Sequence, residues 1–235
     1  RLKERFMIEE PARLRLARDL RRPTEAQIAA LTGHPTGFVL DAMFGAGAMW
    51  TAISPLPGVT ARVCGPALVA GNGPGDILGS LAAVRFVRPG DVVVTEAQGY
   101  QGCAAGGDRL CGFLRNRGAA ALVTDGPLRD LEGLHAVGLP AWCTGLIPGS
   151  PVVRGPATVG LPINVGGQRV EQGDVVVADG DGVVVVPFAL LDAVAATLID
   201  VARAEETLDA EVAAGLDVVD AVEAVIESED GVEWV

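Results

Sequence analysis

The feature that most constrains this fold is a regular alternation of short apolar runs with helix-like segments through the middle of the chain. Four runs are predicted as strands, at Ala61–Ala70, Asp91–Glu96, Ala119–Thr124 and Ala141–Thr144. Short apolar runs bounded by turn residues are typical of strands buried on both faces. Because strands and helices alternate, the sequence predicts an α/β domain, with a β-rich segment from Val152 to Val186 packed on it. Strands are predicted within that segment at Val159–Val165, Arg169–Val170, Val175–Ala178 and Val183–Val186.

Helices are predicted between and after these strands. Ile77–Val87, Asp108–Arg117 and Asp130–Ala136 separate the apolar runs. After Pro187, apolar residues recur at helical spacing to about Ala214, which indicates a long C-terminal helix.

The flanking regions lie outside this alternation. Residues 1–22 are predicted as a polar helix, and Thr24 is predicted to cap the short helix that follows it. These patterns divide the chain into a helical extension at 1–40, a main domain at 41–215 and an acidic tail at 216–235.

Composition excludes several classes of partner. Of 235 residues, 49% are hydrophobic and 20% charged, so the chain can bury a sizeable core. The net charge is −12, with no basic stripe, which disfavours nucleic acid because Lys and Arg supply affinity for phosphates. No apolar run approaches the roughly 18 residues that span a bilayer, and no signal-peptide pattern opens the chain. We expect a soluble cytoplasmic protein with no nucleic-acid or membrane partner.

Lysine usage restricts the chemistry. The only lysine is Lys3, and every other cationic side chain is arginine. Schiff-base catalysis needs an amine that can lose its proton, which arginine cannot supply. If the protein stabilises a carbanion or an enolate, we therefore expect a metal ion to act as the electron sink.

The cysteines and histidines are predicted to be structural. Two histidines, His34 and His135, are too few for a three-histidine zinc site. The cysteines show no CxxC spacing, which favours free thiols in a reducing compartment; they are Cys64, Cys103, Cys111 and Cys143.

A glycine-rich turn at Gly71–Asp76 follows a predicted strand and precedes a helix, as a dinucleotide fingerprint does. However, Asp76 stands at the third glycine position, and Pro74 removes an amide donor. An acid at a helix start competes with phosphate for the same N–H groups. The sequence favours a tight turn capped by Asp76 over a nucleotide or methyl-donor site.

A second glycine-rich turn, at Gly106-Gly107, is a better candidate site. The amides of Asp108, Arg109 and Leu110 follow it at a predicted helix start, where they could receive a carboxylate. Arg129 follows the next strand and could pair with the same carboxylate in fork geometry. Beside it, Asp130 is an oxygen ligand suited to Mg²⁺ or Mn²⁺. The structural alternative is that both acids are helix caps, with Arg129 in a structural ion pair.

The segment from Gly106 to Asp130 resembles the D/E-x20-R-D motif of the RraA-like family. That family contains the 4-hydroxy-4-methyl-2-oxoglutarate / 4-carboxy-4-hydroxy-2-oxoadipate aldolases and the regulator of ribonuclease activity A. The likeness runs through Ala119–Arg129, which is similar to the family's GVVIDGxVR strand, and through Gly145–Pro148 and Gly173–Pro187. It covers about residues 40–215.

The resemblance implies roles for the residues of this motif. Asp130 matches the metal ligand, and Arg129 matches the residue that binds the substrate carboxylate and oxyanion. Gly107, Asp108, Arg109 and Leu110 match the substrate loop, with Asp108 orienting a metal-bound water. Arg109 is charged where the family is commonly apolar, which bears on substrate choice.

The resemblance also implies a swivelling β/β/α sandwich-type domain, assembled as a homotrimer or homohexamer with sites between subunits. The C-terminal helix would reach a neighbouring subunit and supply an acid to its site. Glu205 best matches that acid, and Glu206 is the alternative.

The implied function is a divalent-metal-dependent aldolase or decarboxylase that acts on a 2-oxo acid through a pyruvate enolate. Mg²⁺ is the expected cofactor, with Mn²⁺ as the alternative. A second reading is a non-catalytic regulator that binds an RNA-processing enzyme through an acidic surface, which the net charge of −12 permits. A third, a quinone methyltransferase, lacks a convincing methyl-donor loop.

Overall fold

The structure is a computed structural model that describes residues 10–228 and 231–235. Its strands are β1 (Leu14–Leu16), β2 (Ser54–Pro55), β3 (Val63–Gly71), β4 (Val92–Glu96), β5 (Ala121–Thr124), β6 (Ala141–Cys143), β7 (Ala157–Val159), β8 (Ile163–Val165), β9 (Gln168–Val170), β10 (Val175–Ala178) and β11 (Val183–Val186). Its α-helices are α1 (Glu25–Leu31), α2 (Thr36–Asp41), α3 (Leu78–Ala83), α4 (Asp108–Asn116), α5 (Leu131–Val137), α6 (Leu191–Ala213) and α7 (Asp220–Glu227).

A mixed sheet organises the described residues. Strands β3, β4, β5 and β6 are parallel neighbours, and the antiparallel strand β2 closes the β6 side. On the other side, β7 pairs antiparallel with β3, and β1 pairs parallel with β7. Helices connect the parallel strands, as a parallel ladder requires. The sequence therefore predicted the mixed α/β class correctly.

Strand β3 belongs to two ladders. Its first half, from Val63 to Pro66, pairs antiparallel with β10, which in turn pairs with β11. Its second half, from Ala67 to Gly71, pairs parallel with β4. The β-rich second half of the chain is therefore joined to the parallel sheet through one continuous strand.

Two apolar clusters lie on opposite faces of this sheet. The alternation within β4 separates them, since Val92 and Val94 join one cluster and Val93 joins the other. Strands β8 to β11 cover the first face, with Trp142 as its largest fully buried side chain. Helices α3, α4 and α5 cover the second face, where Leu110 packs. Both faces are covered, which explains why apolar residues dominate the parallel strands on both sides.

The prediction at the N-terminus was wrong over the described residues. The predicted helix at 1–22 is replaced by extended chain containing β1, and residues 1–9 lie outside the described part. Next along the chain, Thr24 caps α1 with a capping box through Gln27, as predicted. The predicted strand at Val159–Val165 is divided into β7 and β8. The proposed domain boundaries at 40 and 215 remain a prediction.

An arginine pair fixes the extended N-terminal segment to the sheet. Arg22 makes a bidentate ion pair with Asp91, whose side chain is 1% exposed. Arg21 stacks on Phe188 at 4.3 Å from the ring centroid and lies 3.8 Å from Asp174. Asp91 and Asp174 stand at matching positions in two similar turns, each of which leads into a buried strand.

The chain divides into two compact units, at 1–198 and 199–235. The first contains the sheet and the opening turns of α6, in which Leu191, Val194 and Leu198 are buried. The second contains the rest of α6 and α7. Within the part of the chain that the structure describes, no helix is both long and apolar enough to cross a membrane.

Candidate functional site

The candidate site lies at the carboxyl edge of the parallel strands. Strands β4, β5 and β6 end there at Glu96, Thr124 and Cys143, and each is followed by a loop. The loop at 97–107 leads into α4, and the loop at 125–130 leads into α5. Loops at this edge of an α/β sheet converge, which makes it the usual position of a ligand site.

Backbone hydrogen bonds join these loops to one another. The amide of Ala105 donates to the carbonyl of Pro127 at 2.7 Å, and the amide of Arg129 donates to the carbonyl of Gly106 at 3.2 Å. The loop after β6 is held in the same way, since the amide of Leu128 donates to the carbonyl of Gly145 at 2.9 Å. The glycine-rich turn and the Arg129-Asp130 pair therefore form one structure.

Arg129 is held by two side chains. Its Nε lies 3.2 Å from Oδ2 of Asp130, and its Nη1 donates to the hydroxyl of Ser150. The side chains of Arg129 and Asp130 are 33% and 44% exposed, so the pair faces solvent rather than the core. Among the described residues no hydrogen bond occupies Nη2. The guanidinium is thus oriented, and one donor group remains open to a ligand.

Gly107 lies against this pair. A Cβ built on Gly107 would stand 2.8 Å from Oδ2 of Asp130 and 3.1 Å from Cγ of Arg129. Its backbone is extended, with φ −163°, so glycine is required here by space and not by conformation. The backbone of the loop consequently approaches the Arg129-Asp130 pair more closely than any other residue type would allow.

Asp130 adopts an unusual backbone conformation. Its φ of 64° and ψ of 51° lie in the left-handed region, which is uncommon for residues other than glycine. It occupies the N-cap position of α5, yet its side chain makes no capping hydrogen bond. The carboxylate turns to Arg129 instead, so the interpretation of Asp130 as a simple helix cap was wrong. Strained residues of this kind are concentrated at functional sites.

The start of α4 supplies backbone donors. Gly107 is its N-cap, and the first amides of a helix have no partner within it. Oδ1 of Asp108 accepts the amide of Arg109 at 2.6 Å, so that amide is less available than the sequence suggested. Leu110 is 3% exposed, which leaves only its backbone able to meet a ligand. The Asp108 side chain faces α5, because a Cβ on Gly133 would lie 2.5 Å from its Oδ2.

The donors near Asp130 fit a cation that keeps most of its water. Mg²⁺ is commonly bound by one or two carboxylates, with water completing the shell. One oxygen of Asp130 pairs with Arg129, and its Oδ1 has no protein partner among the described residues. In the described part of the chain, no group of three or more His, Cys, Asp or Glu residues is arranged to hold a metal. The set therefore suits a hydrated Mg²⁺ or Mn²⁺ and not a closed zinc site.

The predicted inter-subunit acids lie in the second unit. Glu205 and Glu206 are both on α6, in its part beyond residue 198. Their assignment to the site of a neighbouring subunit remains a prediction.

The sequence did not single out several polar residues near the site. Ser150 binds Arg129 from the loop after β6, and Gln101 donates to the carbonyl of Asp125 at 3.1 Å. Glu96 ends β4, and burial raises its pKa, with a further increase from nearby Asp125. Glu96 was visible as the acid that ends the predicted strand Asp91–Glu96, but no local signal pointed to Ser150.

The other candidates are structural in their contacts. The Asp76 carboxylate accepts the amides of Leu78, Arg154 and Gly155, so it does not leave that turn open to a phosphate. Burial alone would raise the pKa of Asp76, but these hydrogen bonds outweigh it and lower the pKa overall. His135 contacts the carbonyl of Pro57 at 2.7 Å.

The cysteines are free thiols, as predicted, and lie at Cys64, Cys103, Cys111 and Cys143. Burial raises the pKa of Cys111 to about 12. A thiol with so high a pKa is not a nucleophile at neutral pH.

The family model described as "RraA-like: Aldolase/RraA" matches residues 36–185. A protein of Halalkalibacterium halodurans named "Putative 4-hydroxy-4-methyl-2-oxoglutarate aldolase" is 35% identical over 153 residues, which are 65% of this chain and 72% of that protein.

Two solved structures are similar over most of their length. RraAS2 of Streptomyces coelicolor, described as an unusual member of the RNase ES inhibitor RraA protein family, matches with a TM-score of 0.71 at 28% identity, covering 80% of this chain and 98% of that one. A protein of Geobacillus kaustophilus HTA426 described as an S-adenosylmethionine: 2-dimethylmenaquinone methyltransferase matches with a TM-score of 0.60 at 27% identity, covering 65% and 94%. The names of these relatives disagree about activity, so similarity alone does not select the reaction.

Proposed function

This chain belongs to the RraA-like family, and on that premise we propose that it is a divalent-metal-dependent carbon–carbon lyase. It cleaves a 4-hydroxy-2-oxo acid, or decarboxylates oxaloacetate, with a pyruvate enolate as the shared intermediate. The observation that carries the proposal is the oriented guanidinium of Arg129, which stands beside the Asp130 carboxylate and the close backbone of Gly107. The name of the Halalkalibacterium relative supports the same reaction class.

Arg129 binds and stabilises negative charge. Its open donor pairs with the C1 carboxylate of the substrate and with the charge that develops on the C2 oxygen during cleavage. Because Asp130 and Ser150 hold the guanidinium from two sides, little reorientation is needed when that charge appears. The unpaired amides at the start of α4 offer further donors to the carboxylate.

A divalent cation held by Asp130, Mg²⁺ before Mn²⁺, would supply Lewis-acid polarisation of the 2-oxo group. Asp108 holds the water that takes the proton from the C4 hydroxyl, and that water passes a proton on to the Asp108 carboxylate. As that proton leaves, the C4 oxygen forms a carbonyl and the C3–C4 bond breaks. Its electron pair passes into the pyruvate enolate, which is then protonated at C3. Loss of CO2 from oxaloacetate gives the same enolate, so one site accommodates both reactions.

The finer architecture belongs to the same proposal. We infer a swivelling β/β/α sandwich-type domain that forms a homotrimer or homohexamer in the cytoplasm. In that assembly Glu205, or Glu206, of α6 reaches the site of a neighbouring subunit. Light scattering of the purified protein would give the number of subunits.

The test couples pyruvate release to lactate dehydrogenase. Oxaloacetate and 4-hydroxy-4-methyl-2-oxoglutarate are supplied with Mg²⁺ and then with EDTA, beside a no-enzyme control, since free metal also decarboxylates oxaloacetate. Arg129→Ala and Asp130→Ala are expected to abolish turnover while circular dichroism shows a folded protein, because both side chains face solvent. Glu132→Ala, an exposed acid on the same helix as the Asp130 cap, is the matched control. Full activity in either site variant would refute the proposal.

A second candidate function is regulation of an RNA-processing enzyme. It is favoured by the likeness to RraAS2, which is described as belonging to an RNase ES inhibitor family. A binding protein of this kind does not need Asp130 or a metal. Inhibition of a ribonuclease that persists in EDTA and in Asp130→Ala would support this function over the lyase.

A further inference from the structure

Asp125 is a buried acid that follows β5 and that the proposed reaction does not use. The residue is 6% exposed. Its Oδ1 accepts the amide of Ala97 at 2.5 Å, and its Oδ2 accepts the amide of Gly99 at 2.8 Å. Burial raises the pKa of Asp125, while these amide hydrogen bonds oppose the rise. Both oxygens are therefore engaged with the backbone of the loop that follows the neighbouring strand β4.

The turn held by these two bonds has an unfavourable backbone conformation. Gln98 has φ 54° and Gly99 has φ 64°, so two successive residues lie in the left-handed region. Glycine adopts this region freely, but glutamine is strained there and needs surrounding contacts to hold it. The amides on the two sides of Gln98 both donate to Asp125, so the carboxylate supplies those contacts.

The turn is also connected to the other loops of the site. Nε2 of Gln101 donates to the carbonyl of Asp125 at 3.1 Å and to that of Gly99 at 3.2 Å. The hydroxyl of Thr144, in the loop after β6, donates to Oε1 of Gln101 at 2.8 Å. The turn belongs to the loop at 97–107, which ends at Gly107, in close approach to Arg129 and Asp130.

We propose that Asp125 is a positioning residue, which fixes the turn at 97–99 and thereby sets Gly107 and the α4 amides against the Arg129-Asp130 pair. It acts through the loop and touches no reacting atom. This inference rests on the proposed function of the site for its catalytic consequence, but the structural effect on the loop can be measured without any activity.

The variant that tests the inference is Asp125→Asn. It replaces one acceptor oxygen by an NH₂ group. This group is a donor and faces a backbone N–H, which is also a donor, so one of the two hydrogen bonds is lost. The matched control is Asp174→Asn. Asp174 is 3% exposed, and it accepts the amide of Glu171 before β10 at 2.8 Å and the amide of Phe188 after β11 at 2.9 Å. Burial also raises the pKa of Asp174, and Arg21 lies near its carboxylate. We therefore expect Asp174→Asn to destabilise the fold at least as much as Asp125→Asn does.

Two readouts are taken at a temperature where both variants are folded by circular dichroism. The first is amide hydrogen exchange of peptides that cover 97–107, and the second is kcat for pyruvate release. Asp125→Asn is expected to raise exchange in those peptides and to lower kcat by about 100-fold, the scale of loss from misplacing catalytic groups by about 1 Å. Asp174→Asn should leave both unchanged.

Exchange at 97–107 that stays at the wild-type rate in Asp125→Asn, or equal losses of kcat in the two variants, would overturn the inference. If Asp125→Asn does not fold, Gln101→Ala takes its place, because Gln101 is exposed and its loss releases the same turn from Thr144. If the wild-type protein releases no pyruvate, the proposed function fails, and the exchange comparison alone then decides whether Asp125 holds the loop.

Discussion

Replacing Gly107 by alanine tests how closely the loop must approach the Arg129-Asp130 pair. The new Cβ would stand 2.8 Å from Oδ2 of Asp130, 3.1 Å from Cγ of Arg129 and 3.5 Å from its Nε. Carbon atoms pack at about 3.5–4.0 Å from their neighbours, so the carboxylate must shift by roughly 0.7 Å. Since a 1 Å misplacement costs about 100-fold in rate, we expect kcat/KM to fall about 25-fold, or ~1.9 kcal/mol of transition-state stabilisation.

The stability of this variant should not fall with its activity. Gly107 has an extended backbone that alanine adopts, and the atom nearest its new Cβ is the end of the half-exposed Asp130 side chain, which can move. The usual gain of about 0.4–1 kcal/mol through the unfolded state therefore offsets the cost of that shift. Gly112→Ala in the same helix is the control, because its Cβ would meet only Val137, at an ordinary 3.8 Å. The assay is pyruvate release, with the melting temperature measured in parallel. Wild-type kcat/KM in Gly107→Ala, or an equal loss in Gly112→Ala, would refute the steric reasoning.

Two further predictions concern stability. Gly133→Ala should lower the melting temperature, because its Cβ would lie 2.7 Å from Cβ of Asp108, an atom that cannot move away without the backbone of α4. Overpacking of about 1–3 kcal/mol then exceeds the gain in helix propensity of about 1 kcal/mol, and an unchanged melting temperature would contradict the α4–α5 contact. Asp179→Asn should make the free energy of unfolding depend less on pH in the acid range. Burial alone would raise the pKa of Asp179, but hydrogen bonds from Thr36 and the charge of Arg62 lower it below 3.8 overall. The stability that Asp179 contributes is present above pH 3.8 and is lost as the pH falls through the lower pKa of the folded state. The urea midpoints measured above and below that pKa should therefore differ less in the variant than in wild type.

The sequence predicted strands correctly where turn-forming or charged residues mark both ends of an apolar run. The strands Val175–Ala178 and Val183–Val186 were predicted to the residue, because the first is an apolar run between two acids and the second lies between a glycine and a proline. Strand Leu14–Leu16 was missed although leucine and arginine alternate there at the two-residue period of a strand, because the run of arginines was assigned to a polar helix. Its partner β7, at residues 157–159, lies far along the chain, and no local pattern identifies it.

The same division applies to the candidate site. The spacing predicted that Asp108, Arg129 and Asp130 share one pocket. The structure brings Arg129 and Asp130 into contact, with Gly107 against them. The Asp108 carboxylate lies instead against Gly133 of α5. Ser150 and Asp125 depend on how three loops hydrogen-bond to one another, which spacing along the chain does not reveal. The left-handed conformation of Asp130 was likewise invisible, since a residue before a predicted helix is ordinarily assigned as its cap.

The N-terminal segment also protects the sheet from self-association. Strand β1 covers the outer edge of β7, and Arg22 neutralises the buried Asp91. A recombinant version that begins at residue 36, where the family similarity begins, would lose both. It would present the unpaired backbone of Ala157–Val159 as a template for other chains, and the unpaired charge would cost about 3–5 kcal/mol. Such a protein would retain the whole candidate site and yet aggregate.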